Sequence, residues 1–211
     1  MIHCTTIEPS WNPYYAVLAN NLCDSHSFRK TFQFMLWDLI KELDGNDIDG
    51  EEEGANVLGI NDGDEETKLK KILNLGRFYG FLMAEDSLPL HSLKAVNFLT
   101  SSPDTGLFIE VLLMTFLDQI GKKSRKNQLG AGMAIDKASN NDHLFDDKLL
   151  VERVIKAKDQ ITLLRGLQYF LQEKVKFSDL ITKEKQRVRV DWGVDAMFDV
   201  IDELLKEADG Y

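Results

Sequence analysis

Proline is scarce in this 211-residue chain: four occur, Pro9, Pro13, Pro89 and Pro103, and none follows position 103. The second half therefore carries no residue that must break a helix. Cysteine is rarer still, with Cys4 and Cys23 alone, which excludes a disulfide-stapled scaffold and suits a reducing, intracellular compartment. The two are 19 residues apart with no second pair, so they do not form a zinc motif and read as small buried thiols. No apolar run approaches the roughly 18 residues needed to cross a bilayer, so no membrane association is expected. Basic charge is in deficit, 25 Lys and Arg against 35 Asp and Glu, for a net charge of −10. Ten of those acids lie between Asp44 and Glu66, where no base occurs, and the remaining acids and bases balance. The acidity thus describes one segment, and 44–66 reads as a solvated acidic loop inserted between helices.

What is present is apolar residues at helical spacing. Asn12-Pro13, Leu88-Pro89 and Pro103-Asp104 mark helix starts, because the first helical position needs no N–H partner. Pro13 to about Cys23 is a first helix, and Ser25 or Ser27 offers a cap for a second that spaces Phe28, Phe32, Met35, Leu36, Leu39 and Leu43 on one face. Leu69, Ile72, Leu73, Gly76, Tyr79, Gly80 and Met83 form the next stripe, whose glycines four apart invite close approach of another helix. Pro89 to Phe98 reads as a short returning helix. Asp104 to Ile120 is apolar on most sides and reads as the central helix. Gly121 to Asn141 reads as a basic and polar surface loop. Asp142 or Asp146 caps a helix carrying Leu150 and Val154, followed by one through Ile161, Leu164, Leu167, Leu171 and Val175, and a last one from Val194 to Leu205. Arg187 to Trp192 alternates like a strand without a partner and reads as an extended linker. The expected fold is all-α, antiparallel helical hairpins stacked as a short HEAT-like α-solenoid.

Patterns for chemistry fail when counted. An EF-hand begun at Asp44 or Asp62 puts Asp49 or Thr67 where glycine is required. Gly130-Ala131-Gly132 lacks a third glycine, and Gly121-Lys122-Lys123-Ser124 lacks the earlier glycine of a phosphate loop. The four histidines are scattered. Accordingly no metal, no cofactor, no small-molecule substrate and no catalytic residue are expected. Two features suit binding: the cluster Lys122, Lys123, Arg125 and Lys126, fit for a helix C-terminus or for phosphate, and the aromatic Trp11-Asn12-Pro13-Tyr14-Tyr15, fit for inter-helix packing. An RNA-contacting module would add Lys183, Lys185, Arg187 and Arg189 to the basic set.

Ile2-His3-Cys4, Asn12-Pro13-Tyr14-Tyr15, Leu22-Cys23 and Thr31-Phe32-Gln33-Phe34, continued by Leu73-Asn74-Leu75-Gly76-Arg77 and Arg165-Gly166-Leu167-Gln168-Tyr169-Phe170, form a specific set of strings. Together they resemble the C-terminal MA-3 domain of the nucleolar MIF-4G-domain proteins, the suppressor-of-glycerol-defect type. The resemblance implies a non-catalytic helical adaptor occupying 1–211, with the acidic insertion at 44–66, the loop at 121–141 and a helical extension at 143–211. It also implies a start inside the domain, its N-terminal hairpin missing. Its relatives assemble the small ribosomal subunit in the nucleolus, within the pre-ribosomal particle, and bind an initiation-factor-4A-like DEAD-box helicase. Glu85 and Asp86, before the Leu88-Pro89 turn, suit the acidic contact to that helicase. A splicing-factor relative with the same domain pair is the alternative within this resemblance.

Overall fold

A computed structural model describes residues 1–45, 58–130 and 144–210, the side chains of 126–130 excepted. Among the described residues every regular element is helical: α1 (Ile2–Ile7), α2 (Tyr14–Leu22), α3 (His26–Asp44), α4 (Glu65–Ala84), a 3-10 helix (Leu90–Ala95), α5 (Pro103–Gly130), α6 (Lys148–Ile155), α7 (Ile161–Phe170) continued by a π turn (Leu171–Val175), and α8 (Glu184–Asp209). No helix is long and apolar enough to cross a membrane among the described residues.

The proline signals act as expected, whereas α6 starts from Asp147 rather than from the expected Asp146, whose carboxylate accepts the Lys148 N–H at 3.0 Å, and Asp142 lies outside the described residues. Pro103 opens α5, Pro13 and Pro89 immediately precede α2 and the 3-10 helix, and Ser25 is the N-cap of α3. Gly45, left-handed at φ +66°, closes α3. The last acids of the 44–66 segment do not belong to a loop. Asp64 caps α4 by accepting the Thr67 N–H at 2.9 Å, and Glu65 and Glu66 fill its first turn, where the helix dipole favours negative charge. Just before it, the buried Glu42 carboxylate receives the backbone N–H groups of Leu58 (3.1 Å) and Ile60 (2.7 Å), while Lys71 donates to the Asp62 carbonyl at 2.7 Å. Residues 46–57, the middle of that segment, lie outside the described residues.

At the centre stands α5, with Phe108, Leu112, Leu113, Phe116, Leu117 and Ile120 inaccessible to solvent. Its closest neighbour is α4, and the two helices run in the same direction: Lys68 pairs with Asp104 at 2.6 Å near their starts, and Glu85 with Lys123 at 2.6 Å near the far end. The return between them is made by residues 85–102, whose 3-10 helix lies against α3, where Trp37 Nε1 donates to the Ser92 carbonyl at 2.8 Å, and against α7. Gly76 and Gly80 make the α4–α5 approach possible. A Cβ at Gly76 would stand 2.9 Å from Val111 Cγ1, and one at Gly80 would strike the Leu112 carbonyl oxygen and lie 2.8 Å from Thr115 Cβ. On its other side α5 packs antiparallel to α8, where Gly121 lies under the Arg189 stem and Gly193 against Leu117.

Several expectations need correction. Ile2–Ile7, given no element from sequence, is helical. Its buried Thr5 and Thr6 return their hydroxyls to the Met1 and His3 carbonyls, and the buried Asn74 amide donates to Thr5 O (3.2 Å) and Glu8 O (3.1 Å), pinning the turn to α4. Phe28 is 45% exposed, so the core face of α3 begins at Phe32, and Tyr14 is 62% exposed while Trp11 and Tyr15 pack on the core. Cys23 is buried, and burial pushes its thiol pKa up, whereas Cys4 is only partly covered. Arg187 to Trp192 is helix, not extended linker. Within the alternating string Val190 alone is buried, and it starts the helical series Val190, Gly193, Val194, Met197, Ile201, Leu205. Lys122 to Lys126 likewise belong to α5, which continues to Gly130, because Ser124 is buried against the Asp146 carbonyl (2.8 Å) and Arg189 covers Gly121. The remainder of the expected loop, 131–141, lies outside the described residues.

Candidate protein-binding surface

The α4 helix stops in a way its sequence dictates. Ser87 N–H donates to Leu82 O at 2.9 Å and Asp86 N–H to Met83 O at 3.2 Å, the paired bonds of a Schellman ending. Pro89 then prevents the helix from resuming. The residue that takes the left-handed conformation is Asp86, at φ 68°, where glycine is usual; an aspartate there costs about 1 kcal/mol of backbone strain. Glu85 is the C-cap. Two carboxylates therefore sit at the negative end of a helix dipole, which disfavours them unless cations are near.

Cations are near. Lys123 of α5 reaches Glu85 Oε2 at 2.6 Å. Lys156, just beyond α6, pairs with the Asp86 carboxylate, and the buried Arg153 guanidinium lies 3.8 Å from Asp86 Oδ2 and 2.8 Å from Glu152 Oε1 while its Nε faces the Ala84 carbonyl at 3.5 Å. Three sequence-distant elements thus converge on one corner. The lysine pairs, Lys123 with Glu85 and Lys156 with Asp86, are partly exposed and contribute at most about 1 kcal/mol each, small enough to be exchanged for a partner's charges.

Of the six site residues expected from sequence, the structure brings Glu85, Asp86 and Lys123 together. Lys122 turns away to Asp118 (2.6 Å), which also receives Arg189 from α8 at 2.6 Å. Arg125 is exposed, and the Lys126 side chain lies outside the described residues. Two of the four expected basic residues, Lys122 and Lys123, are therefore paired within the molecule. Sequence reasoning missed Arg153 and Lys156, the cations that complete the corner; they lie on another helix, and no spacing rule links positions 70 residues apart. Among the described residues no group of three or more His, Cys, Asp or Glu is placed to hold a metal ion.

The described residues thus form an all-helical stack around one apolar core, with a cluster of ion pairs where α4 ends. Residues 1–89 match the MA3 domain family. The chain is 30% identical over 224 residues to suppressor of glycerol defect protein 1 of Saccharomyces cerevisiae, covering 99% of this chain and 24% of that protein. With the Schizosaccharomyces pombe protein of the same name it shares 29% over 187 residues, 88% of this chain and 19% of that one. With mouse nucleolar MIF4G domain-containing protein 1 it shares 31% over 99 residues, 46% of this chain and 9% of that protein. The chain belongs to this family of MA3-domain proteins. It spans about a quarter or less of the length of these relatives. No solved structure matches it.

Proposed function

We propose that this chain is a non-catalytic protein-binding scaffold that works in the nucleolus in small-ribosomal-subunit assembly and rRNA processing, where it engages an initiation-factor-4A-like DEAD-box RNA helicase. The observation that carries the reading is likeness along nearly the whole chain to suppressor of glycerol defect protein 1, joined by a second likeness to a protein named nucleolar. The surface assigned to the helicase is the corner of Glu85 and Asp86. Their carboxylates are held at a helix end by weak, exchangeable pairs with Lys123 and Lys156, so basic residues of a partner can replace those lysines without unfolding anything.

A direct RNA role for the basic clusters is less well supported. Lys122 and Arg189 share Asp118, Lys123 is held by Glu85, and Arg187 faces Asp191 at 4.0 Å. The test is a pull-down of the helicase by the intact parent protein, wild type and Glu85→Lys/Asp86→Lys. Loss of capture by about tenfold or more, as for a charged contact at an interface centre, is expected, with an unchanged circular-dichroism spectrum. Helicase binding and ATPase activity that do not change when the wild-type parent is added would overturn the reading.

A further inference from the structure

A surface away from that corner has the features of a peptide-docking site. Two adjoining grooves, about 440 and about 680 Å³, share Phe98, Leu99 and Tyr169. They lie where the segment after the 3-10 helix crosses α7. Gly166 permits the crossing, since a Cβ there would stand 2.5 Å from Phe98 Cδ2. With Phe98 turned in, Leu99 is turned out. The Asn97 side chain fixes the turn by accepting the Leu99 N–H at 3.2 Å and the Thr100 N–H at 3.3 Å. Leu99 is 79% exposed and Tyr169 48%. Leaving a leucine in water forgoes about 1.5 to 3 kcal/mol of burial, yet this one is held out by an ordered turn.

The rim carries the charge that selects an occupant. Lys94 stands at one end, 5.4 Å above the Trp37 ring, and Lys174 lines the other groove. Neither has an ion pair among the described residues. Arg165, between them along α7, is exposed and shared with Asp209 at 3.1 Å. Glu110 is the one carboxylate among the lining residues. The surface is therefore locally positive on a chain of net charge −10.

We infer that the groove around Leu99 and Tyr169 docks a segment of another protein that carries an aromatic or aliphatic anchor flanked by acidic residues. The anchor fills the apolar floor, and its carboxylates meet Lys94, Arg165 and Lys174. This assignment rests on the reading of the chain as a protein-binding scaffold and gives that scaffold a second surface. An acidic, anchor-bearing segment fits better than RNA, because the floor is apolar and the cations stand at its edges rather than in a continuous track.

The test is selection of a displayed library of random peptides about 16 residues long, some 24 Å as a helix, against the whole 211-residue chain. The enriched peptides are expected to combine a Phe, Trp or Leu anchor with Asp and Glu. Their affinity is expected to fall about tenfold with Leu99→Glu and to weaken with Lys94→Glu, while Phe177→Glu, at an exposed apolar residue elsewhere, leaves it unchanged. Enrichment of neutral or basic peptides, binding indifferent to Leu99→Glu, or no enrichment overturns the inference. So does a single-stranded RNA oligonucleotide whose binding Leu99→Glu abolishes, or self-association in sedimentation that the same change abolishes. Failed selection with intact helicase capture discards the groove alone, and failed capture with successful selection discards the helicase reading alone.

Discussion

Tyr79 shows how a single side chain ties local chemistry to the stability of the whole. Its ring is fully buried between Phe78 and Phe108, with centroids 5.3 and 6.1 Å away, and its hydroxyl donates to the Phe32 carbonyl at 3.3 Å. Burial, then the nearby charge of Asp38, raises its pKa well above the ordinary value of 10.0. Below that ordinary value both folded and unfolded chains keep the proton, and the contribution to stability is complete. As pH climbs beyond it, the unfolded phenol ionises while the folded one cannot, and stability is lost progressively through the raised value. Denaturant melts across the alkaline range are expected to show this loss in the wild type and a shallower one in Tyr79→Phe. Equal slopes would mean that Tyr79 does not control alkaline stability. At the same scale, Asn74 could not be recognised from sequence as the clasp on α1, because an asparagine inside an apolar stripe says nothing about which carbonyls it will meet 66 and 69 residues away.

Between elements, the α4–α5 contact organises the fold. Gly80→Ala adds one methyl group against the Leu112 carbonyl and Thr115, and is expected to lower unfolding free energy by about 1 to 3 kcal/mol by overpacking. Gly106→Ala, in α5 with nothing within 4 Å of the added carbon, is expected to be neutral or to stabilise by up to about 1 kcal/mol through helix propensity. Paired urea titrations check both, and equal effects would show that the glycines are matters of propensity rather than of contact. Most of this level was legible in the sequence. Stripes such as Leu164, Leu167, Leu171 and Val175 and the apolar α5 repeat every turn, and the prolines mark starts. The misread stretches share one cause. Arg187 to Trp192 and Lys122 to Lys126 have local patterns suited to other states, and tertiary packing decides them: Arg189 crosses Gly121 to reach Asp118, Trp192 stacks on Phe145 at 4.7 Å, and Ser124 is buried. Of the candidate site, the acids Glu85 and Asp86 were legible as a helix end before a proline. Their cations from α5 and α6 were not, and neither was the turned-out Leu99, whose exposure depends on which neighbour, Phe98 or Leu99, finds the gap above Gly166.

Across the whole molecule, the MA3 match ends at residue 89, but the packing does not. The α4 helix is covered by α5, its last turn is tied to Lys123 and Lys156, and α5 in turn is covered by α8 through the Asp118–Arg189 pair at 2.6 Å. The helices beyond the match complete the core on which the matched part depends, and they supply one wall of the groove around Leu99. The two surfaces proposed to bind proteins are the charge-paired corner and the basic-rimmed apolar groove. Crosslinking mass spectrometry of the full-length parent in purified pre-ribosomal particles tests this most directly, because amine-reactive reagents sample Lys94, Lys123 and Lys156 at the two surfaces. Links from these lysines to a DEAD-box helicase or to assembly proteins are the expected result. Particles that contain the parent protein, with links from its other regions but none from these lysines to any protein, would contradict the account.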